Sequence, residues 1–239
     1  MRALPLISAV IGFTAAAAAA VAGWAWLGRP VPMVDAPSGR LQCLSYTVSY
    51  QDASPIDPDF KAPAGLMEDD MRRLRPLTDC IRTYSSLGSQ GDAVAAAADA
   101  GIQVMLGIWI SANDAANQSE IARAIELAKA HPAAIRSIIV GNEVLLRREM
   151  TPGRLAEYIR TVRAAVSAPV TYADIYEFWR RNAKLADDVD LVTIHVLPYW
   201  DDPTPVSIDA VQAHVQGIVD KARAAFPGKP MQIGEVGWP

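Results

Sequence analysis

The sequence predicts an α/β protein in which parallel strands alternate with helices, set behind a separate N-terminal segment. Three observations predict it. Short β-rich runs recur, and Ala-rich helical stretches lie between them. The residues at the carboxyl ends of those runs turn polar and aromatic. The chain also opens on a long uncharged stretch, Ala3 to Gly28, between Arg2 and Arg29.

Composition sets the bounds. The chain has 239 residues, room for one large domain or two small ones. Apolar residues make up 51% and charged residues 20%, so a sizeable core is expected and wholesale disorder is excluded. A net charge of −4, with no Lys/Arg cluster interleaved with aromatics, argues against a nucleic-acid partner. The basic run Arg72 to Arg75 reads as the solvated face of an amphipathic helix.

The N-terminal stretch is long enough to cross a bilayer core of ~30 Å at ~1.5 Å per residue. Trp24 and Trp26 stand near its outer end, where aromatic rings favour the interface. It reads as a signal anchor retained in the membrane, or as a signal peptide cleaved after Ala20-Val21-Ala22. The apolar run exceeds a usual signal core and continues past that site, which favours the anchor. Either way the rest of the chain is expected to be exported: periplasmic or extracytoplasmic if anchored, secreted if cleaved. Residues 1–28 are thus the membrane or signal segment, 29–40 a Pro-rich linker, and 41–239 the folded domain.

Within that domain seven strands are expected: Leu41 to Tyr50, Cys80 to Ser86, Ile102 to Ile110, Ile135 to Glu143, Ala168 to Tyr176, Val189 to Trp200 and Lys229 to Pro239. Helical stretches separate them, such as 65–77, 91–101, 113–132, 151–166 and 207–228. Thr151 before Pro152 suits an N-cap and first turn, and Ser207 or Asp209 opens the last helix. Gly101 and Gly228 follow helices, where a left-handed residue is wanted. Strands alternating with helices are parallel and joined by right-handed crossovers. An open doubly wound sheet and a (β/α)₈ barrel both fit. A nucleotide-binding sheet would carry a Gly-rich loop after its first strand, and "SYTVSYQDASP" has none.

Both architectures place function at the carboxyl ends of strands. Here the tips carry Tyr84, Trp109, Asn142, Glu143, Tyr172, Asp174, Tyr199, Trp200, Glu235 and Trp238. Aromatic platforms around paired acids suit a sugar rather than a phosphate. Tyr46 and Phe178 read as core. Glu143 ends the fourth strand and Glu235 the seventh. A retaining glycosidase needs such a pair: one acid to protonate the leaving oxygen and one carboxylate to attack the anomeric carbon. The acid role implies a raised pKa for Glu143 but not for Glu235. Asn142 beside the acid can bind the sugar 2-hydroxyl.

"VGNEVLLR" and "IGEVGWP" resemble the two active-site motifs of glycoside hydrolase family 17, the β-1,3-glucanases and related transglucosidases. "IRTYSS" and "TIHVLPYW" are similar to that family's second- and sixth-strand motifs, and the likeness runs from Leu41 to Pro239. It is nearest to the bacterial membrane-linked branch. The resemblance implies an α/β (β/α)₈ TIM barrel, here apparently lacking the eighth βα unit. It implies Glu143 as acid/base, Glu235 as nucleophile and Asn142 as 2-hydroxyl partner. Tyr84, Tyr199 and Trp200 would line the sugar subsites, with His195 and Trp238 nearby. Many plant members carry Asn and Tyr where this chain has His195 and Leu197, so His195 reads equally as a histidine packed inside the barrel mouth. The implied partners are a β-1,3-type glucan, with β-1,3/1,6 glucans also fitting, and a membrane. The rival reading is a glucan-binding module without catalysis, or an inactive truncated fragment.

Cys43 and Cys80 sit near the starts of neighbouring strands, where an exported domain permits a disulfide or two buried thiols. The three histidines are scattered and no Cys/His spacing suits a metal, so no metal and no cofactor are expected.

Overall fold

Strand β1 spans Leu44–Ser45, β2 Cys80–Arg82, β3 Gln103–Ile108, β4 Ile135–Asn142, β5 Val170–Ile175, β6 Val192–Val196 and β7 Met231–Val236. All pair in parallel with their sequence neighbours, in the order β1-β2-β3-β4-β5-β6-β7. Helices α2 (Leu66–Leu74), α3 (Gly88–Asp99), α4 (Asp114–Ala130), α5 (Pro152–Ala165), α6 (Tyr176–Arg181) and α7 (Val211–Ala225) alternate with them. The fold is a nearly closed (β/α) barrel with seven staves among the described residues. This computed structural model describes residues 3–30, 32, 36, 38–50, 60–200 and 206–237.

Strand periodicity divides the core in two. Alternate residues of a strand face opposite sides of a sheet. Val104, Leu106, Ile138, Val140, Val170, Tyr172, Val192 and Ile194 pack outward against the helices in one large apolar cluster. Cys80, Met105, Ile139 and Ala173 form a small inner cluster, with Cys43 against it. The expected N-cap holds at α5, where the Thr151 side chain accepts from Arg154 N after a β-region backbone and before Pro152. At the start of α7 neither Ser207 nor Asp209 makes a capping bond; a 3₁₀ turn at Ile208–Ala210 leads in instead.

The first strand is shorter than its apolar run. Among the described residues it has a neighbour on one side only, so much of its length pairs loosely. Tyr46 N donates to Arg82 O at 2.8 Å, Leu41 bridges Thr78, and a disulfide joins Cys43 to Cys80. The fifth strand ends at Ile175, and Tyr176 begins a one-and-a-half-turn helix that the expected helices did not single out. Trp179 on that helix is fully buried and donates through Nε1 to Thr193 O at 2.8 Å, which ties α6 to β6.

The contact pattern splits the chain into two units, residues 1–35 and 36–239. The first contains α1 (Ala3–Leu27), an apolar helix of 25 residues. Its Ser8–Leu27 span is long and apolar enough to cross a membrane, by length and composition. Arg29 lies 4.6 Å from the Trp26 ring centroid. Arg2 and part of the linker lie outside the described residues.

Candidate active site

The site is built around a buried arginine. Arg82 ends β2 with its side chain turned inward, like that of Cys80 two residues before, and it is 2% exposed. Its Nη1 donates to Glu235 Oε1 at 2.7 Å and to Gly234 O at 2.9 Å. Its Nη2 donates to Asn142 Oδ1 at 2.6 Å. From β2 the planar fork thus reaches both β4 and β7, a two-pronged grip that a lysine's single ammonium does not match. Because arginine only donates, Asn142 must turn its oxygen toward it, and its amide NH₂ is the group left to meet a ligand. No sequence reading singled out Arg82. The signal was there in "CIRTYSS": a charge at an inward-facing strand position.

His195 joins the two acids. It is buried on β6, with Nδ1 3.0 Å from Glu143 Oε1 and Nε2 3.7 Å from Glu235 Oε1. Arg82 Nη2 lies 3.4 Å from the same Nε2. A donor at Nε2 makes that nitrogen the acceptor, so the proton sits on Nδ1 and is given to Glu143. His195 is therefore both packed inside the mouth and in polar contact with the pair. Gly234 is what lets the ring lie there. A Cβ on it would come within 2.9 Å of His195 Cδ2 and 2.8 Å of Thr193 Cγ2.

Glu143 follows directly on the end of β4, and its backbone is left-handed, with φ of 54°. A non-glycine residue held there costs about 1–3 kcal/mol and needs support from its surroundings. Its N–H donates to Ala173 O at 2.8 Å, and its carbonyl accepts from Arg147 N at 2.8 Å. The turn is tight: Gly141, with φ of 89°, leaves no room for a Cβ, which would meet Val144 Cγ2 at 2.6 Å.

The Glu143 carboxyl is lowered from its ordinary value, opposite to the expectation from an acid role. The first cause is the hydrogen bond from His195, opposed by burial and helped by the positive charges of Arg147 and Arg82. Sequence position alone does not reveal the proton donor aimed at it. Close by, Asp174 is fully buried at the end of β5 and is raised to about 6, chiefly by burial.

Aromatics ring the mouth. Tyr84 is half-buried, donates to Ser45 Oγ at 3.1 Å, and lies under Arg82, whose guanidinium is 4.5 Å from the ring centroid. Burial raises its hydroxyl pKa. Tyr199 and Trp200 follow β6 as an edge-to-face pair 5.3 Å apart, and Trp200 is 61% exposed. Tyr84, Trp200, Arg82 and Glu235 line one cavity of about 1130 Å³, which continues past Cys43 and Gln232 along the opening between β1 and β7. Trp238 lies outside the described residues. Tyr46 is buried and bonds Asp70 at 2.8 Å, as a core residue. Among the described residues no group of three His, Cys, Asp or Glu could hold a metal.

Glu120, which no sequence reading singled out either, is buried on α4. Its carboxylate accepts from Ser85 Oγ, from Ser86 N at 2.8 Å and Oγ at 2.7 Å, and from Trp109 N at 3.3 Å. It ties the tips of β2 and β3 together.

Comparison with known proteins follows the same lines. A family model described as the BtgE/BtgC glycoside hydrolase domain matches residues 43–239. A probable glucan endo-1,3-β-glucosidase, eglC, of Aspergillus terreus is 29% identical over 183 residues, 66% of this chain. The matched part is only 38% of that relative's length. A Rhizomucor miehei β-1,3-glucanosyltransferase of glycoside hydrolase family 17 superposes with a TM-score of 0.70 at 26% identity. That match covers 82% of this chain and 71% of the other. An active-site mutant of the Rhizomucor miehei glucanosyltransferase, in complex with laminaritriose, gives 0.71 at 25% identity, covering 83% and 71%.

Proposed function

The chain belongs to the BtgE/BtgC glycoside hydrolase domain family, and on that premise we infer that it is a retaining enzyme that cleaves or transfers β-1,3-linked glucan. One observation carries the reading. Two glutamates from β4 and β7 meet at the two nitrogens of one buried imidazole, at the carboxyl ends of the barrel strands. The relatives' names, a glucan endo-1,3-β-glucosidase and a β-1,3-glucanosyltransferase, support the substrate class.

The roles follow from the surroundings. Arg82 holds Glu235 by a charge-assisted bond, which suits an ionised nucleophile. Glu235 attacks the anomeric carbon while protonated Glu143 gives its proton to the departing glycosidic oxygen. The sugar is then esterified to Glu235. Glu143, now a carboxylate, takes a proton from water or from a sugar hydroxyl as that oxygen attacks the same carbon and frees Glu235. Glu143 must be protonated for the first step, against the bond from His195. A glucan chain lying over it excludes water and penalises the charged form, which pushes the carboxyl upward. Asn142 offers its NH₂ to the 2-hydroxyl, and Tyr84, Tyr199 and Trp200 offer stacking faces for the chain.

The rest of the assignment concerns placement. Residues 1–28 act as a membrane anchor, 29–40 as a linker and 41–239 as the catalytic domain, exported to the cell surface or periplasm. The exposed apolar helix supports this. Deleting residues 1–28 is expected to move the protein from the membrane pellet to the soluble fraction; an unchanged distribution overturns the anchor.

The deciding experiment is incubation with laminari-oligosaccharides and sizing of the products. Shorter products mean hydrolysis, and longer ones mean transfer. Glu235→Gln is expected to abolish both while keeping binding, and azide is expected to rescue Glu235→Gly with inverted configuration. Full turnover in Glu235→Gln would refute the mechanism.

A further inference from the structure

We propose that Tyr172 and Asp174 are positioning residues that hold the acid/base glutamate in its left-handed backbone conformation. The inference rests on the assignment of Glu143 above. Both residues lie on β5 and face outward, away from the barrel interior, and neither is exposed. Glu143 immediately precedes the segment they grip. Leu145 N donates to Tyr172 Oη at 3.0 Å, and Tyr172 Oη in turn donates to Asp174 Oδ2. The Oδ1 of the same carboxylate accepts from Ile175 N at 2.8 Å. With Arg147 N bonded to Glu143 O, the amides of Leu145 and Arg147 after the glutamate both have fixed partners.

The arrangement is costly if it serves packing alone. A buried carboxylate pays a desolvation cost that an apolar side chain of similar volume would avoid. What the carboxylate supplies is an acceptor that fixes Tyr172 Oη, the oxygen that takes Leu145 N where the turn leaves that amide without a helical partner. A left-handed residue relaxes toward ordinary backbone unless its neighbours over-determine it. Relaxation of Glu143 would swing its carboxyl away from His195 Nδ1 and from the sugar oxygen it must protonate. The Tyr172 ring is itself held, 5.6 Å from the Trp179 ring centroid. A Cβ on Gly141 would lie 3.5 Å from Tyr172 Cε2, so the ring also backs the strand end before Asn142.

The test separates positioning from folding by the leaving group. Protonation matters for an unactivated glucan and little for a 2,4-dinitrophenyl β-laminaribioside, whose phenolate departs without it. Tyr172→Phe and Asp174→Asn each remove or alter one polar group at constant shape. Each is expected to lower kcat/KM, which reports the first step, on laminari-oligosaccharide about 10- to 100-fold more than on the activated glycoside. That ratio is insensitive to a lower folded fraction, which scales both rates alike. Equal losses on the two substrates, or none, overturn the proposal. Glu143→Ala is the control for the underlying assignment: if it shows no leaving-group dependence, the acid/base role fails instead. Amide hydrogen exchange supplies a readout independent of activity. Leu145 is expected to lose protection in Tyr172→Phe, and unchanged protection there also overturns the proposal.

Discussion

One proton on His195 links the two catalytic candidates. It is aimed at Glu143 Oε1 from 3.0 Å, and that bond is the first cause of the lowered carboxyl. His195→Phe removes the donor and leaves burial as the main influence, which raises a carboxyl. The basic limb of the pH profile of kcat/KM belongs to the general acid of the free enzyme. That limb is therefore expected to move to higher pH in His195→Phe. A limb that stays in place would detach it from Glu143. Arg82 holds Glu235 by an ion pair with a permanent charge, so the two carboxylates meet different partners across a shared ring.

At the scale of elements, β1 is the weak member. It is two residues long with a single neighbouring strand among the described residues, and the Cys43–Cys80 bridge ties it covalently to β2. The bridge closes a loop of 37 residues. Loop-closure entropy assigns such a crosslink roughly 4 kcal/mol, and native disulfides in small domains give about 2–5 kcal/mol on removal. Cys43→Ala is expected to lower the unfolding free energy by about 2–4 kcal/mol in a denaturant titration. No change would show that Tyr46, Val48 and the backbone bond to Arg82 dock β1 unaided. Arg82 stands two residues beyond Cys80, so loosening this strand also loosens the clamp on Glu235.

For the whole molecule, the buried carboxyl of Asp174 and the half-buried one of Glu143 pull stability in opposite directions with pH. Asp174 is raised from 3.8 to about 6, so the folded chain binds its proton more tightly than the unfolded chain. Its contribution is favourable at low pH and becomes a cost as pH rises from about 4 to about 6, amounting to about 3 kcal/mol at neutrality. Glu143 is lowered below 4.5. What it contributes is present above its unfolded value and is lost as pH falls through its folded value. The difference in thermal midpoint, wild type minus Asp174→Asn, is expected to grow as pH falls from about 7 to about 5. A flat difference in scanning calorimetry would show that Asp174 titrates normally.

Much of this was legible in the chain itself. The seven strands could be placed because each apolar β-rich run is bounded by turn residues and followed by a helical stretch. Glu143 and Glu235 could be chosen because each stands at the tip of such a run. Tyr84, Asn142, Tyr199 and Trp200 are proposed on the same ground, as polar or aromatic residues where an apolar run ends. Arg82 was not found, because its partners lie 60, 113 and 153 residues away, and a lone charge in a short strand looks like any other. The extent of β1 was overread because pairing depends on a neighbour, not only on propensity. The direction of the Glu143 shift was misjudged for a similar reason. Local sequence determines which side chains reach the mouth of the barrel. Only closure of the strands decides which of them face one another, and a proton's affinity is set by what faces it in space.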